Sequence, residues 1–141
     1  MGINIKRVLL GGLVAWVVIA VCGFALVPMI GKEMDAVLAG FSLPPLGIGA
    51  MIYFAFVSLC VGMFLVWLFA AMLPRFKNRT KTALIAVLIV WVFGYCLHSF
   101  SMVAYGFMPM KITFIGTAWG LLELIAGSLI GTRFYKERSE S

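Results

Sequence analysis

Four long apolar blocks dominate the sequence, and short charged or proline-containing breaks separate each block from the next. Each block has the roughly 20 apolar residues that a helix needs to cross the hydrocarbon core of a bilayer. Only 11% of the 141 residues are charged and 64% are hydrophobic, too few polar groups to cover a water-soluble fold. The sequence therefore predicts an all-α integral membrane protein, a four-helix bundle forming a single transmembrane domain over residues 1–141.

The predicted helices span about residues 8–27, 47–73, 82–103 and 113–135. Pro28 and Pro74 follow the first two blocks, where proline ends or kinks a helix because it lacks a backbone N–H. Residues 32–39 have the composition of a short amphipathic helix at the membrane surface. The first block follows a basic pair, as in a signal peptide, but it is long and lacks a small-residue cleavage site. We therefore expect a retained helix, with a cleaved signal as the alternative.

Lysine and arginine are distributed unevenly between the two ends of the predicted bundle. Two lie before the first helix, four lie at 74–82 and three lie at the C-terminal end (Arg133, Lys136 and Arg138), all on one side. Only Lys32 and Lys111 lie on the other side. Because cytoplasmic loops carry the excess of basic residues, both termini are predicted to be cytoplasmic. Topology thus explains the net charge of +6, and no nucleic-acid partner is expected.

Glu123 is an acidic residue in the middle of the fourth apolar block. It lies about ten residues into the helix, roughly 15 Å from the end and near the bilayer midplane. An ionisable side chain there costs at least ~2.5–3.5 kcal/mol on insertion scales and normally faces the bundle interior with a partner. Two interpretations follow: a carboxyl that binds a ligand or exchanges a proton, or a neutral glutamic acid that stabilises helix packing.

Tyr95 and His98 lie on one face of the predicted third helix, at depths that make a chain of Glu123, Tyr95 and His98 possible. Such an intramembrane polar network is either a packing element or a proton path. His98 is the only histidine, and a lone histidine in a membrane can also ligate a haem or pigment metal. His98 is therefore a weak cofactor-binding candidate, although no cofactor and no metal site are expected. The three cysteines lie inside apolar blocks and are interpreted as small buried hydrophobes.

Small residues recur at helical spacing in the fourth block, at Gly116, Gly120, Gly127 and Gly131. Glycines let membrane helices approach closely, so these four are predicted to pack against another helix of the chain or of a partner. Trp91 and Trp119 lie deeper than an aromatic belt, and their indole N–H groups are expected to find acceptors inside the bundle.

The second connection contains a basic run, Arg75, Lys77, Arg79 and Lys81. Basic residues beside a membrane helix each contribute about 1 kcal/mol of attraction to an anionic leaflet. The run is therefore predicted to contact anionic lipid headgroups, with simple anchoring of the helix ends as the alternative interpretation.

Several short motifs are spread over most of the chain. They are Ile5-Lys6-Arg7-Val8-Leu9-Leu10-Gly11-Gly12-Leu13, Pro74-Arg75-Phe76, Lys81-Thr82-Ala83, Trp91, Trp119-Gly120-Leu121-x-Glu123 and Gly131-x-x-x-Tyr135-Lys136-Glu137. In these motifs the chain resembles an uncharacterised family of small four-helix bacterial inner-membrane proteins. The resemblance implies a multi-pass protein of the bacterial inner membrane, and it implies no substrate, cofactor or catalytic residue.

The sequence shows no serine-protease set, no nucleotide-binding loop and no zinc-protease motif, so no enzyme activity is expected. The predicted role is that of a small non-catalytic membrane protein, an accessory or structural subunit or a homo-oligomer. Its expected partners are the lipid bilayer and other membrane subunits or a second copy. The alternatives are a ligand-binding or proton-linked transport module using Glu123 and His98, and a haem- or pigment-binding subunit with His98 as ligand.

Overall fold

Four helices make up the fold in the computed structural model, which describes residues 2–137. They are α1 (Ile5–Gly40), α2 (Ile48–Phe76), α3 (Arg79–Ala104) and α4 (Met110–Phe134), and no strand occurs in the described range. All four are long and apolar enough to cross a membrane. The predicted all-α architecture with four membrane-length helices is confirmed, and these helices indicate a multi-pass membrane protein.

The sequence predicted that the first helix ends before Pro28, but the helix continues past this residue. It continues to Gly40 over 36 residues, about 54 Å at the ~1.5 Å rise of an α-helix. Proline lacks a backbone N–H, so it removes one hydrogen bond from the helix. If the helix ended there, the N–H and C=O groups on either side would have no partners in apolar surroundings, and continuing the helix satisfies them. The predicted surface helix at 32–39 is therefore the last part of α1. The helix ends where Ser42 adopts a positive φ of 57°.

A two-residue turn joins α2 to α3. Here too the helix passes its proline, Pro74. It ends at Phe76, and the next residue, Lys77, has a φ of 56° in the left-handed region. Asn78 then begins α3, because its side-chain oxygen accepts a hydrogen bond from the Lys81 backbone N–H at 2.9 Å. So short a turn makes α2 and α3 antiparallel neighbours.

The third helix contains a π-helical segment, Trp91–Cys96, where the sequence predicted a regular α-helix. A π turn adds one residue between hydrogen-bonded groups, so it changes which side chains face a neighbouring helix. The fourth helix begins at Met110, three residues before the predicted start, and ends in a 3-10 turn at Thr132–Phe134.

The helices form an up-down-up-down bundle in which α1 packs on α2 and α4, and α3 also packs on α2 and α4. Within residues 2–137, eight lysines and arginines lie at one end, called the basic end: Lys6, Arg7, Arg75, Lys77, Arg79, Lys81, Arg133 and Lys136. Lys32 and Lys111 lie at the other, called the opposite end. Arg138, which the sequence argument also counted, lies outside the described residues.

The apolar core is concentrated in the half of the bundle nearer the basic end. Its members are Val8, Ala15 and Ile19 of α1; Leu65, Val66, Phe69, Ala70 and Leu73 of α2; Ala83, Ala86, Val87 and Val90 of α3; Leu124 of α4; and Tyr135. In α2 no residue before Gly62 is buried, and in α3 none after Val90. The core is therefore packed in one half of the bundle, and in the other half α2 and α3 contain no buried residue.

Arg79 joins α3 to the end of α4. Its Nη2 donates hydrogen bonds to the carbonyl oxygens of Thr132 at 2.6 Å and Tyr135 at 2.9 Å. The guanidinium lies 5.3 Å from the centre of the Phe69 ring, which in turn packs edge-on against Tyr135. Arg79 thus stabilises the fold by bonding to the chain itself, although it is exposed like Arg75, Lys77 and Lys81. Lipid contact by the basic run stays a prediction.

Three tryptophans link neighbouring helices through their indole N–H groups. Trp16 donates to the carbonyl of Ala55 at 3.0 Å, which joins α1 to α2. Trp91 donates to Thr117 at 2.8 Å, and Trp119 to Cys22 at 2.9 Å, which join α4 to α3 and to α1. The expectation that Trp91 and Trp119 find acceptors inside the bundle is confirmed.

Candidate intramembrane polar site

Glu123 lies near the middle of α4, where three helices meet. It is 12 residues from Lys111 at the opposite end, about 18 Å along the helix, and 10 residues, about 15 Å, from Arg133 at the basic end. Its side chain is only 8% exposed. The carboxyl therefore lies inside the bundle and at mid-depth.

Tyr95 of α3 is the hydrogen-bond partner of this carboxyl. The Tyr95 hydroxyl donates to Glu123 Oε1 at 3.2 Å. The ring lies against Gly120, one turn from Glu123: a Cβ on Gly120 would lie only 2.6 Å from Tyr95 Cδ1. The absent side chain at Gly120 thus makes the space in which the tyrosine reaches the carboxyl.

The second carboxyl oxygen faces α1. Glu123 Oε2 lies 3.8 Å from the position that a Cβ on Gly23 would occupy, an ordinary van der Waals distance. Gly23 therefore forms the α1 wall of the site, while Tyr95 forms the α3 wall. Gly23 is absent from the site predicted from the sequence, because only the register between α1 and α4 places it beside Glu123.

The π-helical segment of α3 supplies two side chains that bond to α4. Trp91 begins the segment and binds the Thr117 carbonyl, and Tyr95 follows four residues later and binds Glu123. π-helical turns occur frequently at functional sites. Gly94, in the same segment, is exposed and has no atom within 4 Å of its Cβ position.

No cationic side chain within residues 2–137 lies at ion-pair distance from Glu123. The ion pair described there joins Lys111 to Glu33 at 2.6 Å, at the opposite end and largely exposed. One further polar group is buried in α4: the Thr117 hydroxyl, on a residue 4% exposed, has no hydrogen-bond partner in the described range. The site therefore combines a buried carboxyl and a tyrosine hydroxyl without a counter-charge from the described chain.

The structure brings together two of the three residues in the predicted polar network. Glu123 and Tyr95 are hydrogen-bonded, whereas the side chain of His98 is exposed on α3. The prediction assumed regular α-helical spacing over residues 91–102, and the π-helical segment interrupts that spacing. The polar site therefore consists of Glu123 and Tyr95.

Metal ligands do not cluster in the described range, where no group of three or more His, Cys, Asp or Glu side chains could hold a metal ion. Cys22, Cys60 and Cys96 are free thiols, and Cys60 is exposed on α2. His98 as a ligand of haem or a pigment stays a prediction, which an absorption spectrum of the purified protein would test.

Three of the four predicted packing glycines lie at close contacts. Gly131 faces Gly11 and Ala15 of α1, and Gly127 faces Ile19. Gly120 receives the Tyr95 ring, as described above. Gly116 differs, because nothing lies within 4 Å of its Cβ position. These four glycines, called the glycine stripe, therefore pack against other helices of the chain at Gly120, Gly127 and Gly131. At Gly116, nearer the opposite end, the stripe has no close neighbour.

Comparison with known proteins gives no relative: no family model, no curated protein and no solved structure matches the chain.

Proposed function

We propose that this chain is a small non-catalytic protein of the bacterial inner membrane that works by packing against other membrane helices, as an accessory subunit or a homo-oligomer. The observation that carries the proposal is the unpacked half of α2. Residues 48–61 include none that is buried, and Ile48, Ile52 and Phe56 are 75%, 65% and 62% exposed. Nearly four turns of this helix therefore contain no buried residue.

A groove between α2 and α3 supports the same proposal. It has a volume of about 520 Å³ and is lined by apolar side chains, with Cys60 of α2 and Gly94 of α3 among its small residues. Membrane helices associate through close packing rather than through the hydrophobic effect, and small residues allow that approach. A ridge of side chains from a partner helix fits such a groove in the way that helix ridges fit grooves generally.

The charge distribution supports an orientation with both termini in the cytoplasm. Eight of the ten described lysines and arginines lie at the basic end, and cytoplasmic ends carry that excess in membrane proteins. The resemblance to small bacterial inner-membrane proteins supports the location. Reporter fusions that place residue 141 outside the cell would contradict the orientation.

Filling the groove tests the assembly proposal. Gly94→Leu adds bulk where the chain leaves open space, so the fold should persist while a partner helix is excluded. We expect at least a tenfold loss of assembly, which corresponds to about 1.4 kcal/mol. Light scattering in mild detergent measures the oligomer, and co-purification from native membranes measures a foreign partner.

Ala118→Leu is the matched control, because Ala118 is exposed on α4 outside the groove. It should assemble like the wild type. A wild-type protein that is a single chain without partners in native membrane extracts would contradict the proposal, as would unchanged assembly of Gly94→Leu.

A second candidate function is a ligand-binding or proton-linked module centred on Glu123. The specific observation is the buried carboxyl with its hydrogen bond from Tyr95. Intramembrane ionisable residues that face a bundle interior are commonly functional. His98, which the sequence argument included, is exposed and is not needed for this candidate.

Infrared spectroscopy of the protein in lipid nanodiscs tests whether Glu123 exchanges a proton. We expect the difference spectrum between acidic and alkaline pH to contain a buried-carboxyl band that Glu123→Gln abolishes. Tyr95→Phe should shift this band because it removes the donated hydrogen bond. His98→Ala and Glu33→Gln should leave it in place. A spectrum in which Glu123→Gln removes no band would rule out proton exchange at this residue.

A further inference from the structure

We propose that a second copy of the chain binds the outward face of α3, with His98 of each copy hydrogen-bonded to Ser101 of the other. The proposal rests on the assembly function proposed above, and it names the partner and the contact surface.

The first observation is a continuous exposed face on α3. Its members, called the α3 face, recur three or four residues apart and are Gly94, Leu97, His98, Ser101, Ala104 and Tyr105. This is the spacing of contact residues in paired helices. Nothing lies within 4 Å of the Cβ position of Gly94, so another membrane helix can approach closely there. Gly94 also lines the groove between α2 and α3, and the α3 face therefore adjoins the surface proposed for assembly.

The second observation is an exposed histidine within a membrane-length helix. His98 lies six residues before the end of α3, about 9 Å by helical rise. Ionisable residues in membrane helices are rare, and they almost always face a bundle interior or a water-filled cavity. Among residues 2–137, the side chains of α3 that donate to other parts of the chain are Arg79, Trp91 and Tyr95, not His98. Lipid acyl chains offer the imidazole no hydrogen bond, whereas a second protein chain does.

Ser101 supplies an acceptor on the same face. Its hydroxyl donates to the Leu97 carbonyl at 2.7 Å, which uses its one hydrogen and leaves lone pairs on the oxygen. A neutral imidazole has one N–H to donate. His98 and Ser101 are three residues apart, about 4.5 Å along the helix. The α3 face therefore carries both a donor and an acceptor, and it is complementary to itself.

The charge distribution decides how two copies meet. The concentration of basic residues at one end gives every copy the same orientation in the membrane. Closed dimers are commonly twofold symmetric, and copies with the same orientation require an axis along the bilayer normal. The same face then meets itself, with the two α3 helices parallel and His98 near the depth of Ser101 of the second copy. Two equivalent hydrogen bonds form, which a foreign helix matches only if it carries an acceptor at that depth.

Cysteine cross-linking tests this contact directly. The test uses the full chain in lipid vesicles, with alanine in place of the native cysteines Cys22, Cys60 and Cys96. Ala104→Cys then adds a thiol on the α3 face, and a disulfide forms only when the two Cα atoms lie within about 7 Å. We expect oxidation to give a covalent dimer. Ile52→Cys on α2 and Ala118→Cys on α4 are exposed controls on other helices and should remain single chains.

Substitution of His98 tests the hydrogen bonds in the chain with its native cysteines. His98→Leu keeps an apolar surface but removes both bonds, so the dimer should dissociate about tenfold more readily, measured by energy transfer between labelled copies diluted in vesicles. His98→Asn retains an N–H donor and should recover most of the loss. Circular dichroism and the infrared band of Glu123 check that each variant keeps its fold.

The outcomes separate this proposal from the function on which it rests. No covalent dimer of Ala104→Cys, or equal dimerisation of His98→Leu and the wild type, would overturn the α3 contact. An oligomer that cross-links through Ile52→Cys instead would remove the α3 contact and leave the assembly function standing. A wild type that is a single chain without partners would contradict both.

Discussion

Replacing Gly131 by alanine is expected to destabilise the protein by about 1–3 kcal/mol, the usual cost of overpacking a filled interior. The added Cβ would lie 2.6 Å from the Gly11 carbonyl oxygen and 2.8 Å from the Ala15 Cβ. Both contacts involve atoms close to the α1 backbone, which no side-chain rotation can move away. Helix α1 must therefore move away from α4 at the contact of Gly131 with Gly11 and Ala15. Thermal unfolding in detergent, followed by circular dichroism, measures the loss.

Gly116→Ala is the matched control on the same helix and in the same glycine stripe. Nothing lies within 4 Å of its Cβ position, and alanine favours a helix over glycine by up to about 1 kcal/mol in its interior. This variant should be as stable as the wild type or slightly more stable. Equal stability of Gly131→Ala and Gly116→Ala would show that the close approach of α1 and α4 is not as described.

Gly11→Ala adds a second check, because its Cβ would lie 2.7 Å from the Gly131 carbonyl oxygen. Either substitution separates the same pair of helices. The double variant Gly11→Ala/Gly131→Ala should therefore lose less stability than the two single losses added together, since residues in contact couple. Strict additivity would indicate that the two glycines do not face each other.

Replacing Arg79 by alanine is the second substitution with a large expected effect, about 2–3 kcal/mol. A hydrogen bond to a charged group contributes about 1.5–3 kcal/mol, and Arg79 makes two, to Thr132 and Tyr135. We place the total within the range of a single such bond because the arginine is exposed and solvent screens its charge. Unfolding in detergent, in zwitterionic lipid and in anionic lipid measures the loss.

Lys81→Ala is the control, since Lys81 belongs to the same basic run and its side chain is exposed. It should change stability by less than about 0.5 kcal/mol, as surface substitutions usually do. Arg79→Lys should recover only part of the loss, because an ammonium does not reproduce the fork of the guanidinium. If Arg79→Ala were destabilising only in anionic lipid, its contribution would come from headgroups and not from α4.

The sequence predicted the helices well but their ends poorly, and proline explains the difference. The sequence predicts helix ends at Pro28 and Pro74, yet α1 continues for twelve residues past Pro28 and α2 for two past Pro74. A proline costs a helix the bond that its own nitrogen would make, and its ring crowds the carbonyl four residues earlier. Where water is scarce, ending a helix leaves several more backbone groups without partners. Apolar surroundings thus favour continuation.

The candidate site shows a similar division. The position of Glu123 inside the bundle follows from the cost of exposing a carboxyl to lipid, and the sequence alone predicts it. Its bond to Tyr95 required the correct register between α3 and α4, and the π-helical segment that sets this register has no recognisable sequence signal. The same segment explains why His98, expected beside Tyr95, is exposed instead.

The sequence by itself determined the number of helices and the concentration of basic residues at one end. Both follow from local apolar content and from what a bilayer admits, and neither depends on which helices touch. Only the tertiary structure decided that Gly11 meets Gly131, that Arg79 caps the end of α4 and that Trp16 bonds to Ala55. Those contacts depend on the register between segments far apart in the chain, which is set when all four helices pack together.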